Sequence, residues 1–199
     1  MKALTAHYRG SIQGLVAQQQ HAIFATCHHE GQPGSLHRVD FSTELPSLTE
    51  SALPCGTDAL TSDEKNIYIA GDNGKLYQAE LITGTPKAVG KITWDETDPV
   101  VALSLVANNQ LAILHAEHVR LVPLRGNAAE QDFKFTTKTS CIAASPDGLW
   151  FAVGDTKGNI YVYQYQDEAW ELSNQAKIHQ GKVTTLLFEP NELRFYSAG

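Results

Sequence analysis

An internal repeat constrains this chain more than any other feature of its sequence. Residues 59–72, ALTSDEKNIYIAGD, align without a gap with residues 142–155, IAASPDGLWFAVGD. In both segments an alternating stretch leads to a turn of small and charged residues, and then to an apolar stretch that ends in Gly-Asp. Gly71 and Gly154 stand 83 residues apart, which is two periods of a little over 40 residues each. The chain is therefore built from copies of one small unit.

Further copies of the unit extend the repeat along the chain. They are residues 14–25 (GLVAQQQHAIFA), 103–114 (LSLVANNQLAIL) and 185–199 (TLLFEPNELRFYSAG). Together the copies make four complete units and the first half of a fifth. A period of about 40–45 residues, with several short strands in each unit, is typical of the blades of a β-propeller.

The pattern inside each unit predicts strands. Leu186 and Phe188 stand two residues apart, as do their counterparts in the other units, so each pair faces one side of a strand. The stretches that follow are apolar on both faces, as strands buried between stacked sheets would be: residues 67–70, 111–114 and 150–153. Turn signals at residues 72–74 and 155–158 predict hairpins. No window keeps helical spacing for three turns, so we predict an all-β fold of four-stranded blades.

We expect one propeller domain over residues 1–199. Its approximate blades are 8–50, 55–95, 98–137, 139–178 and a partial blade 183–199, to which residues 2–5 could add an outer strand. The sequence stops at Gly199, midway through a repeat, and an open stack leaves an apolar blade face uncovered. Because closure needs a ring of typically four to eight blades, we expect an incomplete ring within a longer protein. An uncovered sheet edge would then promote self-association. The alternative is a compact ring of five blades that residues 2–5 close.

The last part of the chain resembles the WD-repeat family. An apolar residue follows His179 after four positions, and Phe188-Glu189-Pro190 then leads to a strand that contains Ser197. This is the order of a WD repeat: a His, an apolar residue four later, F-x-P, and a small-residue strand end with Ser. Residues 145–165 are similar to the same pattern, with Tyr163-Gln164 in place of the final Trp-Asp.

The other units depart from the WD pattern. At two Trp-Asp positions the chain has Val39-Asp40 and Ala79. At two His positions it has Glu96 and Phe135. In the turn between the second and third strands, Lys157 stands at the position of the family's Asp. Quinoprotein-like propellers have weaker signatures, and Leu81-Ile82-Thr83-Gly84 fits either family.

The resemblance implies a function and a role for several residues. WD propellers are non-catalytic scaffolds for protein–protein interaction, and their His and Ser form a structural hydrogen-bond network. Here that network would include His7, His179 and Ser197. Partners would bind at loop ends near strand starts, where the candidates are Asp58, Asp98, Lys138 and Lys182. The alternatives are a ligand-binding or enzymatic propeller, or a regulatory propeller attached to a catalytic domain.

Charge and hydropathy exclude other classes of function. The chain has 15 Lys and Arg against 22 Asp and Glu, a formal net charge of −7, and no basic stripe of the kind that binds nucleic acid. It has no apolar run of about 18 residues and no apolar signal segment, so we expect no membrane partner and a cytoplasmic location.

No motif predicts a cofactor, a metal or a catalytic residue. The segment Gly84–Lys91 has five residues between its glycines, so it fails the spacing of a phosphate-binding loop. Cys27, His29 and His37 could approach one another as zinc ligands, but a His-rich hairpin end is the favoured interpretation. The three cysteines are too far apart for a C-x-x-C pair, and we expect them to be buried as small apolar residues.

Overall fold

The computed structural model describes residues 11–18, 21–27, 33–42, 47–126, 129–190, 192 and 194–199. These residues form eighteen β-strands and no helix. Accordingly, the described part of the chain offers no helical segment capable of crossing a membrane. Backbone contacts divide the chain into two compact units, residues 1–99 and residues 100–199.

The first unit contains two four-stranded sheets. The strands of the first sheet are β1 (Ser11–Gln18), β2 (His21–Cys27), β3 (Ser35–Asp40) and β4 (Ser47–Ala52). Those of the second sheet are β5 (Thr57–Ser62), β6 (Asn66–Gly71), β7 (Lys75–Glu80) and β8 (Lys87–Thr93). Each strand pairs antiparallel with the next strand in the chain.

The second unit contains two four-stranded sheets and one two-stranded sheet. The strands of its first sheet are β9 (Ala102–Val106), β10 (Gln110–Leu114), β11 (His118–Pro123) and β12 (Gln131–Lys134). Those of its second sheet are β13 (Thr139–Ala144), β14 (Trp150–Asp155), β15 (Asn159–Gln166) and β16 (Ala169–Lys177). The last pair is β17 (Thr185–Phe188) and β18 (Phe195–Ala198). The predicted all-β fold of four-stranded sheets is thus confirmed.

The second strands β6, β10 and β14 are buried on both faces, which explains their continuous apolar sequences. In β14, Phe151 and Val153 belong to a core cluster that they share with β10 and β11. Ala152, which points to the opposite face, belongs to a cluster with Val183 and Phe188. The fourth strands are at sheet edges, and β16 is exposed over most of its length. Polar sequence at these strands follows from that exposure.

Aromatic rings fill the larger core cluster of the second unit. Phe151 is 0% exposed, stacks on Tyr163 with ring centroids 4.7 Å apart, and meets Trp170 at 4.8 Å. The indole N–H of Trp170 donates to the side-chain oxygen of Gln110 at 3.0 Å, so this buried donor is satisfied. The alternating tyrosines of β15 therefore serve the core. Trp150, by contrast, is only half-buried.

Candidate functional site

One backbone hydrogen bond recurs where the chain leaves the fourth strand of a sheet. A linker amide donates to the carbonyl of the residue just before the third strand. The four bonds are Leu53 to Gly34 at 2.9 Å, Trp94 to Gly74 at 3.0 Å, Phe135 to Glu117 at 2.8 Å and His179 to Gly158 at 3.1 Å. The linker and the turn between the second and third strands are therefore held together at one end of each sheet. We call this end the turn end.

Gly158 shows how close this contact is. Its φ of 90° lies in the left-handed region, and a Cβ atom there would collide with the carbonyl oxygen of His179. Gly74, the counterpart of Gly158, has a φ of 70° and meets the carbonyl oxygen of Trp94 in the same way. Glycine is required at both positions because only it combines this conformation with so close an approach.

In the other three four-stranded sheets, the donors of the recurring bond are apolar residues. They are Leu53, Trp94 and Phe135. In the linker after β8, the amide that bonds to the turn is that of Trp94, two residues before Glu96. Three apolar residues thus donate the backbone bond that His179 donates after β16.

His179 and Ser197 are brought together, with Nε2 and Oγ 2.8 Å apart. Both side chains are half-buried, and Ser197 is on β18. His179 belongs to the linker after β16, and its backbone amide donates to the carbonyl of Gly158. Its side-chain bond to Ser197 therefore connects that linker to the sheet of β17 and β18. His7, the third residue of the predicted network, lies outside the described residues.

A buried carboxylate that sequence reasoning missed organises the turn end of β13–β16. Asp155 is 0% exposed, and its carboxylate accepts hydrogen bonds from two backbone amides, of Lys157 at 2.8 Å and Asn159 at 2.9 Å. Its side-chain donors are Thr137 Oγ1, Asn159 Nδ2 at 2.6 Å and Tyr161 OH at 3.3 Å. Burial by itself would raise the pKa of Asp155, but these hydrogen bonds outweigh it and hold the pKa below its ordinary value. Asp155, rather than position 157, therefore supplies the acidic group of this turn.

The corresponding turn of β5–β8 is one residue shorter and uses a neutral group. Asn73 donates from Nδ2 to the hydroxyl of Tyr77 at 2.8 Å, while its Oδ1 is buried without a hydrogen-bond partner. Asp72, which aligns with Asp155, is exposed. Burial raises the pKa of Tyr77, as it does for Tyr161.

A buried arginine stabilises the turn between β7 and β8 in the first unit. The guanidinium of Arg38, on β3, donates to the carbonyls of Leu81 at 3.0 Å, Glu80 at 3.3 Å and Gly84 at 2.9 Å. It also donates to Ser51 Oγ at 3.1 Å, and its burial lowers the pKa of Arg38. The glycine-rich segment that begins at Gly84 is therefore a turn that leads into β8 and is stabilised from the neighbouring sheet.

The four predicted partner-binding residues divide between the two units. Asp58 and Asp98 lie in the first unit and are half-buried, with Asp58 on β5 and Asp98 in the loop after β8. Lys138 and Lys182 lie in the second unit and are exposed, close to the starts of β13 and β17. Lys157, in the turn before β15, is a third exposed lysine of the second unit. The sequence analysis had noted Lys157 only as a departure from the WD pattern.

The proposed zinc combination lies partly outside the described residues. His29 and the side chain of Cys27 are among the parts that the structure does not describe. His37 is buried on β3. Cys55 and Cys141 are buried free thiols, as expected, and burial is the main cause that raises the pKa of Cys141.

Comparison with known proteins identifies relatives and a structural neighbour, although no family model matches the chain. WD repeat and FYVE domain-containing protein 1 from Homo sapiens is 24% identical over 161 residues, which are 76% of this chain and 38% of that protein. Cilia- and flagella-associated protein 52 from Bos taurus is 32% identical over 80 residues, 37% of this chain and 12% of that protein. The chain thus spans well under half the length of these relatives.

The solved structure of the Myceliophteria thermophila Cps50 (Swd1) β-propeller domain superposes with a TM-score of 0.69 at 15% identity. The match covers 94% of this chain and 62% of that domain. The four-stranded sheets described above are therefore arranged as in a known β-propeller fold.

Proposed function

We propose that this chain, whose relatives are WD-repeat proteins and whose fold is that of a β-propeller, is a non-catalytic platform that binds other proteins. One observation carries the proposal. The recurring bond ties the linker to the turn at the turn end of each four-stranded sheet, and loops positioned by a scaffold are where propellers and other repeat folds carry binding residues.

The polar groups that could be mistaken for catalytic ones are engaged inside the protein. Asp155 accepts five hydrogen bonds from within the protein, and the guanidinium of Arg38 donates to three backbone carbonyls and to Ser51. A nucleophilic serine needs a base that a third group orients. Within the described residues, the side chain of His179 hydrogen-bonds only with Ser197, which suits a structural tie.

Photo-cross-linking tests the proposal. We would place p-benzoylphenylalanine at exposed Asp72 or Thr156, both at turn ends, and at exposed Ser173 on the edge strand β16 as the control position. In cells that express the chain, discrete protein adducts from positions 72 or 156, competed by unlabelled chain, support a platform. Adducts of equal pattern and yield from position 173, or none from either turn-end position, contradict it.

Self-association belongs to the same proposal. Leu187 and Tyr196 form a cross-strand pair on β17 and β18 and are 65% and 59% exposed. An exposed apolar pair on a sheet face promotes association between chains. Light scattering over a dilution series should show concentration-dependent association that the double variant Leu187→Ser, Tyr196→Ser abolishes. A monodisperse monomer of the unaltered chain at high concentration would rule this out.

We also propose a cytoplasmic location, which the free thiols of Cys55 and Cys141 support, since disulfides form and persist mainly in oxidising compartments.

A further inference from the structure

We propose that the turn end of β13–β16 binds an acidic segment of a partner protein through Lys138, Lys157 and Lys182, which we call the lysine surface. The inference rests on the proposed platform function and adds the chemistry of the partner. All three lysines are exposed and belong to the second unit.

Backbone hydrogen bonds bring the three lysines to one place. The amide of Thr156, next to Lys157, donates to the carbonyl of Lys138 at 2.8 Å. The amide of Val183, next to Lys182, donates to the carbonyl of Asp155 at 2.9 Å. The segments that carry the lysines are therefore directly bonded to one another, and their backbones are ordered before any ligand binds. Such preorganisation lowers the entropy cost of binding.

The positive charge of the lysine surface is not neutralised locally. No ion pair within the described part of the chain involves any of the three ammonium groups. Lys134 and Lys177, at the ends of β12 and β16, lead into the segments that carry Lys138 and Lys182. The three exposed lysines thus form a local positive surface on a chain whose net charge is −7.

An exposed apolar residue lies beside the lysines. Ile178 is 59% exposed, and its amide donates to the carbonyl of Gly158 at 2.9 Å, one residue after Lys157. An isoleucine held in place among cations can contact one apolar side chain of a partner, while the lysines contact acidic groups on either side. The surface therefore fits an acidic segment that also carries an apolar residue.

The charge distribution favours a short protein segment over larger polyanions. At physiological ionic strength, charges act over about 8 Å, so a short segment experiences mainly the local positive excess. A nucleic acid or an anionic membrane meets a wider area of this chain, whose overall charge is negative and repels it.

Fluorescence anisotropy with a labelled ten-residue peptide, containing six Glu and one central Leu, tests the inference. The triple variant Lys138→Glu, Lys157→Glu, Lys182→Glu should weaken binding of this peptide by about tenfold or more, because three attractions become repulsions. Raising the salt concentration should weaken binding by the unaltered chain and leave the triple variant little changed. The corresponding Ala variants give the same direction with a smaller effect, and circular dichroism checks that each variant folds.

Two controls separate a specific surface from general charge. The variant Lys65→Glu, Lys87→Glu, Arg125→Glu changes the net charge by the same amount at exposed positions elsewhere and should alter binding less than about twofold. A peptide with Gln in place of every Glu should not bind.

Several outcomes would overturn the inference. Equal weakening by the control variant shows only non-specific charge. Absence of peptide binding, or tighter lysine-dependent binding to vesicles that contain phosphatidylserine, excludes an acidic protein segment as the ligand. If photo-cross-linking still yields specific partners from position 156, the platform function stands while the acidic partner does not.

Discussion

The turns at the ends of β6 and β14 follow the same Gly-Asp dipeptide, yet they place it differently. In the longer turn Asp155 is turned inward and accepts five hydrogen bonds, whereas in the shorter turn Asp72 is exposed and Asn73 makes the inward contact. The tyrosine that completes each network, Tyr161 or Tyr77, stands at the third position of the following strand in both sheets. One added residue in a turn thus decides whether a charged or a neutral group organises it.

The two turn ends also present opposite charges to solvent. The exposed charged residues near the shorter turn are mostly acidic, with Asp72, Asp95 and Glu96. Those near the longer turn are Lys138, Lys157 and Lys182. The same scaffold therefore carries two different surfaces, which is expected where function depends on loop residues rather than on the fold.

The largest effect should come from the core beneath the longer turn. Phe151→Ala should lower the free energy of unfolding by about 3–5 kcal/mol, because it empties a fully buried site between Tyr163 and Trp170. Urea denaturation in a Trp94→Phe background follows the second unit alone, since Trp150 and Trp170 are then the remaining tryptophans. A midpoint that does not move would contradict the register given for β14.

The next effect separates the two aspartates of the comparison. Asp155→Ala should destabilise the protein by about 2–3 kcal/mol, because it leaves several buried donors without an acceptor. Asp72→Ala should cost less than about 0.5 kcal/mol, as is usual for an exposed side chain. Equal losses for the two variants, measured by the same denaturation experiment, would show that the two turns are organised alike.

Acid should distinguish Asp155 as well. Its pKa is lower in the folded protein than in the unfolded chain, so its ionised form stabilises the fold above the ordinary pKa of an aspartate. That stabilisation is lost as the pH falls from about 4 through the lower folded pKa. Unfolding midpoints between pH 6 and pH 3 should therefore decline less in Asp155→Asn than in the unaltered protein. Parallel declines would exclude Asp155 as a source of the acid sensitivity.

The smallest effect is expected in the shorter turn. Asn73→Ala removes one neutral hydrogen bond to Tyr77 and also removes an unpaired buried oxygen, so we expect a loss of at most about 1 kcal/mol. Thermal melting of this variant beside Asp155→Ala measures the difference between the turns. A loss as large as that of Asp155→Ala would mean that the neutral turn depends on its side chain as strongly as the charged one.

The parts of this structure that sequence could predict are those decided by neighbours in the chain. Alternating residues and Gly-containing turns specify strands and hairpins locally, so the sheets and the apolar second strands were predicted. The resemblance to WD repeats was carried by His179, Ser197 and the repeat length, and the structural neighbour has the expected β-propeller fold.

The missed features depend on residues far apart in sequence. One donor to the buried Asp155 is the hydroxyl of Thr137, 18 positions earlier in the chain. Sequence alone does not distinguish Arg38 from an ordinary strand cation, because its acceptors are carbonyls 42–46 residues later. The lysine surface depends on bonds between segments that no local pattern connects.

The recurring linker bond has a consequence for how such chains drift in evolution. Because the bond joins two backbone groups, it places no requirement on the side chain of the donor, and the four donors are Leu53, Trp94, Phe135 and His179. The acceptor is under more constraint, since it is a glycine in three of the four turns. A profile that scores the donor's histidine finds one of these four repeats, whereas a profile that scores the acceptor glycine finds three.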